Sequence, residues 1–173
     1  ELALPALLDL PPAVAPLKRQ AVLAAAIMRL PARHGGPATP EQAWQLAGEM
    51  GRLFDEVALE EKDPELLAHA TPAGFAEAWL GRLEALVPAE QAVHWQITTT
   101  FLRAVATDWA AWLTEHGLLD IGLPRVLALR EQIRAWDAAP PEHEVIAAGI
   151  GVGGTIPVAA QLLKRVATLP RGA

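Results

Sequence analysis

Between Val93 and Gly117 the chain reads VHWQITTTFLRAVATDWAAWLTEHG, with Ile97, Phe101, Leu102, Val105, Trp109, Trp112 and Leu113 recurring at intervals of three and four. That period gathers them on one wide helical face and leaves a narrow polar stripe through Gln96, Thr100, Arg103, Thr107 and Thr114. At about 1.5 Å per residue the helix is roughly 35 Å long, enough to cross a small domain. Trp95 adds a third indole to the same stretch. A face this broad needs neighbours on several sides. The stretch therefore reads as the long central helix of a mainly α, antiparallel multi-helix bundle.

A length of 173 residues suits one domain or one large piece of a bigger protein. The hydrophobic fraction of 52% is ample for a core. No uninterrupted apolar run reaches the roughly 20 residues of a membrane span, and ELALPALLDLPPAVAP has no basic region ahead of its apolar residues to make a signal peptide. Absence of Cys excludes disulfides and thiolate metal sites and fits a cytoplasmic protein. Absence of Ser excludes a serine nucleophile. A net charge of −6 counts against a strong, self-sufficient nucleic-acid binder. The chain opens on Glu1 and stops at Leu-Pro-Arg-Gly-Ala, which reads as an excised segment.

Proline and glycine punctuate the helices. Residues 1–15 hold three Pro and are expected to run extended over the surface. A first helix spans Leu17 to Leu30, ended by Pro31 and Gly35-Gly36-Pro37. Thr39, Pro40 and Gln42 form the start signal of a second, running to about Glu61. Gly48 and Gly51 lie in it three apart, a spacing that admits a close neighbour or is merely tolerated. A short turn follows Asp63-Pro64, Thr71-Pro72 opens a third long helix ended by Pro88, and Pro124 opens another through Trp136 that stops at Pro140-Pro141. Residues 1–139 thus read as one helical domain.

Residues 140–173 follow a different grammar. Glu144 to Ala148 is a short apolar run with β-branched residues, Gly149 to Gly154 a Gly-rich loop, and Thr155 a cap for a helix from Ile156 to about Leu169. Strand, glycine loop and helix open an α/β unit, read here as a truncated one. The run Val145 to Ala148 does not alternate with polar residues, as in a strand buried on both faces. With its sheet partners outside the segment, strand 144–148 is expected to pair with its copy in a homodimer.

Gly149, Gly151, Gly153 and Gly154, followed by Thr155, satisfy G-x-G-x-x-G between strand and helix. No acidic residue follows to hold a ribose, so a tight structural turn outweighs a nucleotide site. Asp55 with Glu60-Glu61-Lys62 faintly matches the Asp…Glu-x-Lys set of a Mg²⁺-dependent nuclease, but falls at the polar end of a helix and reads as solvated charge. His34, His69, His94, His116 and His143 show no zinc spacing, and no metal or cofactor is assigned. Arg29 and Arg33, with Arg125, Arg130 and Arg134, are candidate DNA-phosphate contacts weighed against solubilising charge.

Three passages share a likeness. Asp9-Leu-Pro-Pro-Ala-Val-Ala-Pro-Leu17 resembles the entry to the helical insertion in the AddB subunit of bacterial AddAB helicase–nucleases, in the alphaproteobacterial form. His94-Trp95-Gln96, Phe101-Leu102, Trp109 and Glu115 to Asp120 look like its central helix. Pro140-Pro141, Val145 to Gly149, Gly154 to Pro157, Leu162-Leu163 and Leu169 to Gly172 resemble the strand and helix returning to a helicase-like core. Ile150 to Gly153 departs from the family's shorter Ser/Thr-containing loop.

The resemblance implies a role in processing double-stranded DNA ends for recombinational repair, beside an AddA-type helicase subunit that holds the motor. In working helicases the equivalent strand ends in Asp-Glu, which holds Mg²⁺ and positions water. Here Ala147, Ala148 and Gly149 stand there. The implied part is a non-catalytic scaffold and DNA-handling segment. An autonomous helical protein-interaction domain and a small nucleotide-binding domain are the competing readings.

Overall fold

Four of the six helices among the described residues begin on a proline, whose fixed φ and missing N–H suit the first helical position. The structure, a computed structural model, describes residues 10–60, 72–85, 92–147 and 156–172. Its helices are α1 (Pro16–Met28), α2 (Pro40–Glu60), α3 (Pro72–Ala85), α4 (Ala92–His116), α5 (Leu123–Ala138) and α6 (Pro157–Thr168). A 3-10 turn, Ala32–His34, joins α1 to α2. The mainly helical class read from the sequence holds.

Local chemistry fixes the ends. Thr39 Oγ1 accepts the N–H of Gln42 at 3.3 Å, the expected cap of α2. Gln42 Oε1 reaches back to the N–H of Ala38 at 3.0 Å, one residue earlier than a capping box requires. At the end of α4, Gly117 adopts φ 60°. Its N–H bonds Thr114 O at 3.2 Å, and that of Leu118 bonds Leu113 O at 3.0 Å. That pair of bonds is a Schellman stop. α6 is entered at Ile156 without a side-chain cap, in place of the cap expected from Thr155, which lies outside the described residues.

The main core joins Leu23 and Ile27 of α1, Ala47, Met50 and Phe54 of α2, Leu80 of α3, and Val105, Trp109 and Leu113 of α4. A second buried cluster unites Ala58 of α2 with Leu123 and Val126 of α5 and Val158 of α6. α5 and α6 run in parallel: Val158 shares a cluster with the start of α5, while Arg165 Nη2 donates to Trp136 O near its end at 2.7 Å. The C-terminal segment is thus packed against the helical body.

Three expectations change. First, the apolar face of α4 is left uncovered near its start: Trp95 is 36% and Ile97 48% exposed, whereas Phe101 and Leu102 pack against the core and Val105 and Leu113 are buried. Both α1 and α3 pack against this helix. Second, residues 1–9 of the N-terminal segment lie outside the described residues, and of the rest Pro11, Pro12, Ala13 and Ala15 are exposed as expected, but Val14 is buried. Its N–H donates to Leu119 O at 2.9 Å, and the N–H of Leu119 donates to Pro12 O at 2.9 Å. Third, the strand expected over 144–148 is reduced, among the described residues, to one parallel bridge between Val145 and Gly172. The partner lies in its own chain, on the far side of α6. Parallel pairing needs such a crossover.

Candidate functional site

Arg19 occupies the fourth position of α1, one turn before Leu23 on the face that packs inward, and its side chain is 7% exposed. Two carboxylates enclose its guanidinium. Nη1 donates to Asp55 Oδ2 at 3.0 Å, and Nη2 lies 3.0 Å from Asp55 Oδ1. On the other side Nη2 donates to Asp120 Oδ2 at 3.0 Å, and Nε lies 2.8 Å from Oδ1. This last contact is ionic and not aligned as a hydrogen bond.

Asp120 is further held by Trp109 Nε1, which donates to Oδ2 at 2.8 Å, and by the N–H of Ile121, which donates to Oδ1 at 2.7 Å. Gly48 and Gly51 face Gln20 and Arg19 of α1, and a Cβ at either would meet those side chains at 3.4 Å, an ordinary contact, so glycine is tolerated there and not required.

Burying an ion costs several kcal/mol, and the cost is recovered only where geometry and extra hydrogen bonds are good. Asp120 meets that demand with three hydrogen bonds and one ionic contact on its two oxygens. The guanidinium is buried and enclosed by the two carboxylates, which leaves it no open edge for a phosphate. The cluster joins α1, α2 and the α4–α5 turn as a clamp.

Beside it Trp109 stacks on Trp112, centroids 5.4 Å apart and planes at 7°, and Trp112 stacks on His116 at 4.1 Å. Lys18 Nζ stands 5.2 Å from the Trp112 ring centre. A cavity of about 40 Å³ lies where Phe54, Trp79, Trp109, Leu113 and Leu123 meet near Asp120. It is large enough for a water and far below the roughly 300 Å³ of a small-molecule pocket.

The five candidate arginines are not brought together at one site. Arg29 pairs with Asp108 of α4 at 3.6 Å, and Arg33 is exposed in the 3-10 turn. On α5, Arg125 is exposed, Arg134 pairs with Glu131 at 2.7 Å, and Arg130 is buried. Asp55, weighed as a metal ligand, belongs to the Arg19 clamp; Glu60 is exposed at the end of α2, and Glu61 and Lys62 lie outside the described residues. Among the described residues no group of three or more His, Asp or Glu is placed to hold a metal.

Ala147 is half-buried beyond the Val145 bridge, and Ala148, Gly149, Gly151, Gly153, Gly154 and Thr155 lie outside the described residues. Sequence reading missed Arg19 and Asp120. Their signals were a cation on the apolar face of a helix and an acid directly after Leu118-Leu119. No helix among the described residues is long and apolar enough to cross a membrane. Comparison with protein-family models, with curated proteins and with solved structures yields no match.

Proposed function

We propose that this chain is a non-catalytic scaffold and DNA-handling segment of an AddB-type subunit, which works beside an AddA-type helicase subunit on double-stranded DNA ends. The observation that carries the reading is how the passages of the resemblance meet. Pro12 to Val14 of the first pairs with Leu119 of the second, and Asp120 of the second holds Arg19, two residues past the first. Within the third, one parallel bridge joins Val145 to Gly172, and that pairing supports the α/β part of the reading. Ala147-Ala148-Gly149, where a motor has Asp-Glu, supports a part without ATP chemistry.

Co-expression of the AddB-type polypeptide containing this segment with an AddA-type subunit tests the reading. The expected result is co-elution on size exclusion and ATP-dependent degradation of linear duplex from its ends. A polypeptide that neither co-elutes nor changes end processing would overturn it.

An autonomous helical interaction domain is the second reading, favoured by the exposed Leu17, Met28 and Trp44. A nucleotide-binding domain has less support, since it rests on the glycine loop alone.

A further inference from the structure

Three rings stand in a row on one stripe of α4. Trp109, Trp112 and His116 occupy positions i, i+3 and i+7, the spacing that brings side chains together on a helix surface. The inner end is fixed, since Trp109 is buried and its indole N–H is held by Asp120. The outer end, His116, is exposed in the last turn of the helix and stacks on Trp112 at 4.1 Å, with planes 24° apart. Its Nδ1 donates to Trp112 O at 2.8 Å, a carbonyl being only an acceptor. Lys18 of α1 brings its ammonium to 5.2 Å from the centre of the same indole. The flank beyond the helix end is open, because a Cβ on Gly117 would meet nothing within 4 Å.

An exposed imidazole ordinarily samples several rotamers. Here a ring contact and a hydrogen bond hold it in one orientation, although an exposed ring adds little to the core. The ordering entropy of a contact made through His116 is thereby largely met in advance. What the surface presents is a rigid aromatic plate with a cation one ring away.

We propose that His116 is a stacking platform for an unpaired base at a DNA end, with Lys18 meeting an adjacent phosphate. Single-strand binding combines these two elements: aromatic faces on which bases stack whatever the sequence, and cations that follow the backbone. Inside a duplex a base has to be taken out of its stack at a cost, so the plate favours a frayed or resected strand over an intact one. A guanidinium from a protein partner would also stack on a flat ring, but Lys18 repels it. An acidic partner without a ring would meet Lys18 and leave the plate unused. One lysine in a chain of net charge −6 gives a weak grip on phosphate, so the ring supplies most of the discrimination. The proposal deepens the DNA-handling reading and rests on it.

The probe is a short labelled oligodeoxyadenylate, set beside a twin with the same phosphates on abasic sugars and beside a blunt duplex. Fluorescence anisotropy at low salt with the 173-residue chain should show the base-bearing strand binding at least about fivefold more tightly than either, the low end for one stacked base. His116→Ala should abolish that margin. His116→Phe, which keeps a ring and lacks the bond to Trp112 O, should retain it, whereas a role confined to closing the helix end would make the two variants alike. Lys18→Ala should weaken strand and abasic twin equally and lessen the salt slope by about 0.7, the value of one single-strand phosphate contact. Circular dichroism of His116→Ala should match the parent, because the side chain is exposed. Equal binding of strand and abasic twin, or a margin that survives His116→Ala, would overturn the proposal. Such a result with co-elution and end processing intact removes the stacking site alone and leaves the DNA-handling reading standing.

Discussion

Trp109 Nε1 donates to the same carboxylate oxygen of Asp120 that accepts Arg19 Nη2, at 2.8 and 3.0 Å. One buried oxygen therefore ties the fourth helix to the first, and the aromatic core to the ionic clamp. Asp120→Ala should destabilise the fold by about 3–5 kcal/mol, because it strands a buried guanidinium and an indole N–H. Asp55, whose side chain is 36% exposed, should cost no more than about 1 kcal/mol when replaced by Ala, since water screens its half of the clamp. Urea denaturation of both variants checks the order. A larger loss for Asp55→Ala would contradict it.

Gly117 and Gly51 should respond to alanine with opposite signs. Gly117 holds φ 60° at the Schellman stop, and Gly117→Ala should cost about 1 kcal/mol. Gly51 lies inside α2, and an added Cβ would sit 3.4 Å from Arg19 Nη1, ordinary contact. Gly51→Ala should therefore be neutral or stabilising by up to about 1 kcal/mol through helix propensity. Gly51→Leu should drive the guanidinium off Asp55 and destabilise. Thermal melts of the three variants decide.

Glu41 is held below its ordinary carboxyl pKa, first by its backbone hydrogen bond at the start of α2 and then by Thr39. A depressed folded pKa means that its contribution is present above the unfolded value and is lost as pH falls through the folded one. Side-chain NMR titration should place Glu41 below a typical glutamate, and Thr39→Ala should move it back upward. No change in Thr39→Ala would remove the hydroxyl from the account.

DNA binding by this chain alone should be weak and strongly salt-dependent. A net charge of −6, with Arg130 buried and Arg29 and Arg134 engaged by acids, leaves few phosphate contacts. Fluorescence anisotropy with a labelled duplex end should show no saturation at micromolar protein in physiological salt. Submicromolar binding would put direct DNA clamping ahead of scaffolding.

Helix positions were legible because proline and glycine mark them locally. Pro40 with Thr39 and Gly117 with Leu118 act within a few residues of their own backbone. The covering of α4 was not legible: Ile97 and Leu113 share the period but not the neighbours, and the neighbours come from α1 and α3, elsewhere in the chain. The clamp escaped notice for a related reason. Arg19 on an apolar face looks like a break in the pattern until residues 36 and 101 positions away supply its carboxylates. The bridge at Gly172 depends on the path of α6 around Val145, which a single strand-like run does not reveal.

Synthesis order gives the clamp a consequence in time. Arg19 emerges from the ribosome 101 residues before Asp120, and Val14 long before Leu119. Until the α4–α5 turn has been made, α1 can pair with α2 through Asp55 alone, with its guanidinium half-served and its extended leader unanchored. The first helix is thus made 101 residues before its guanidinium can be fully enclosed, so its final locking is a late contact between segments far apart in the chain.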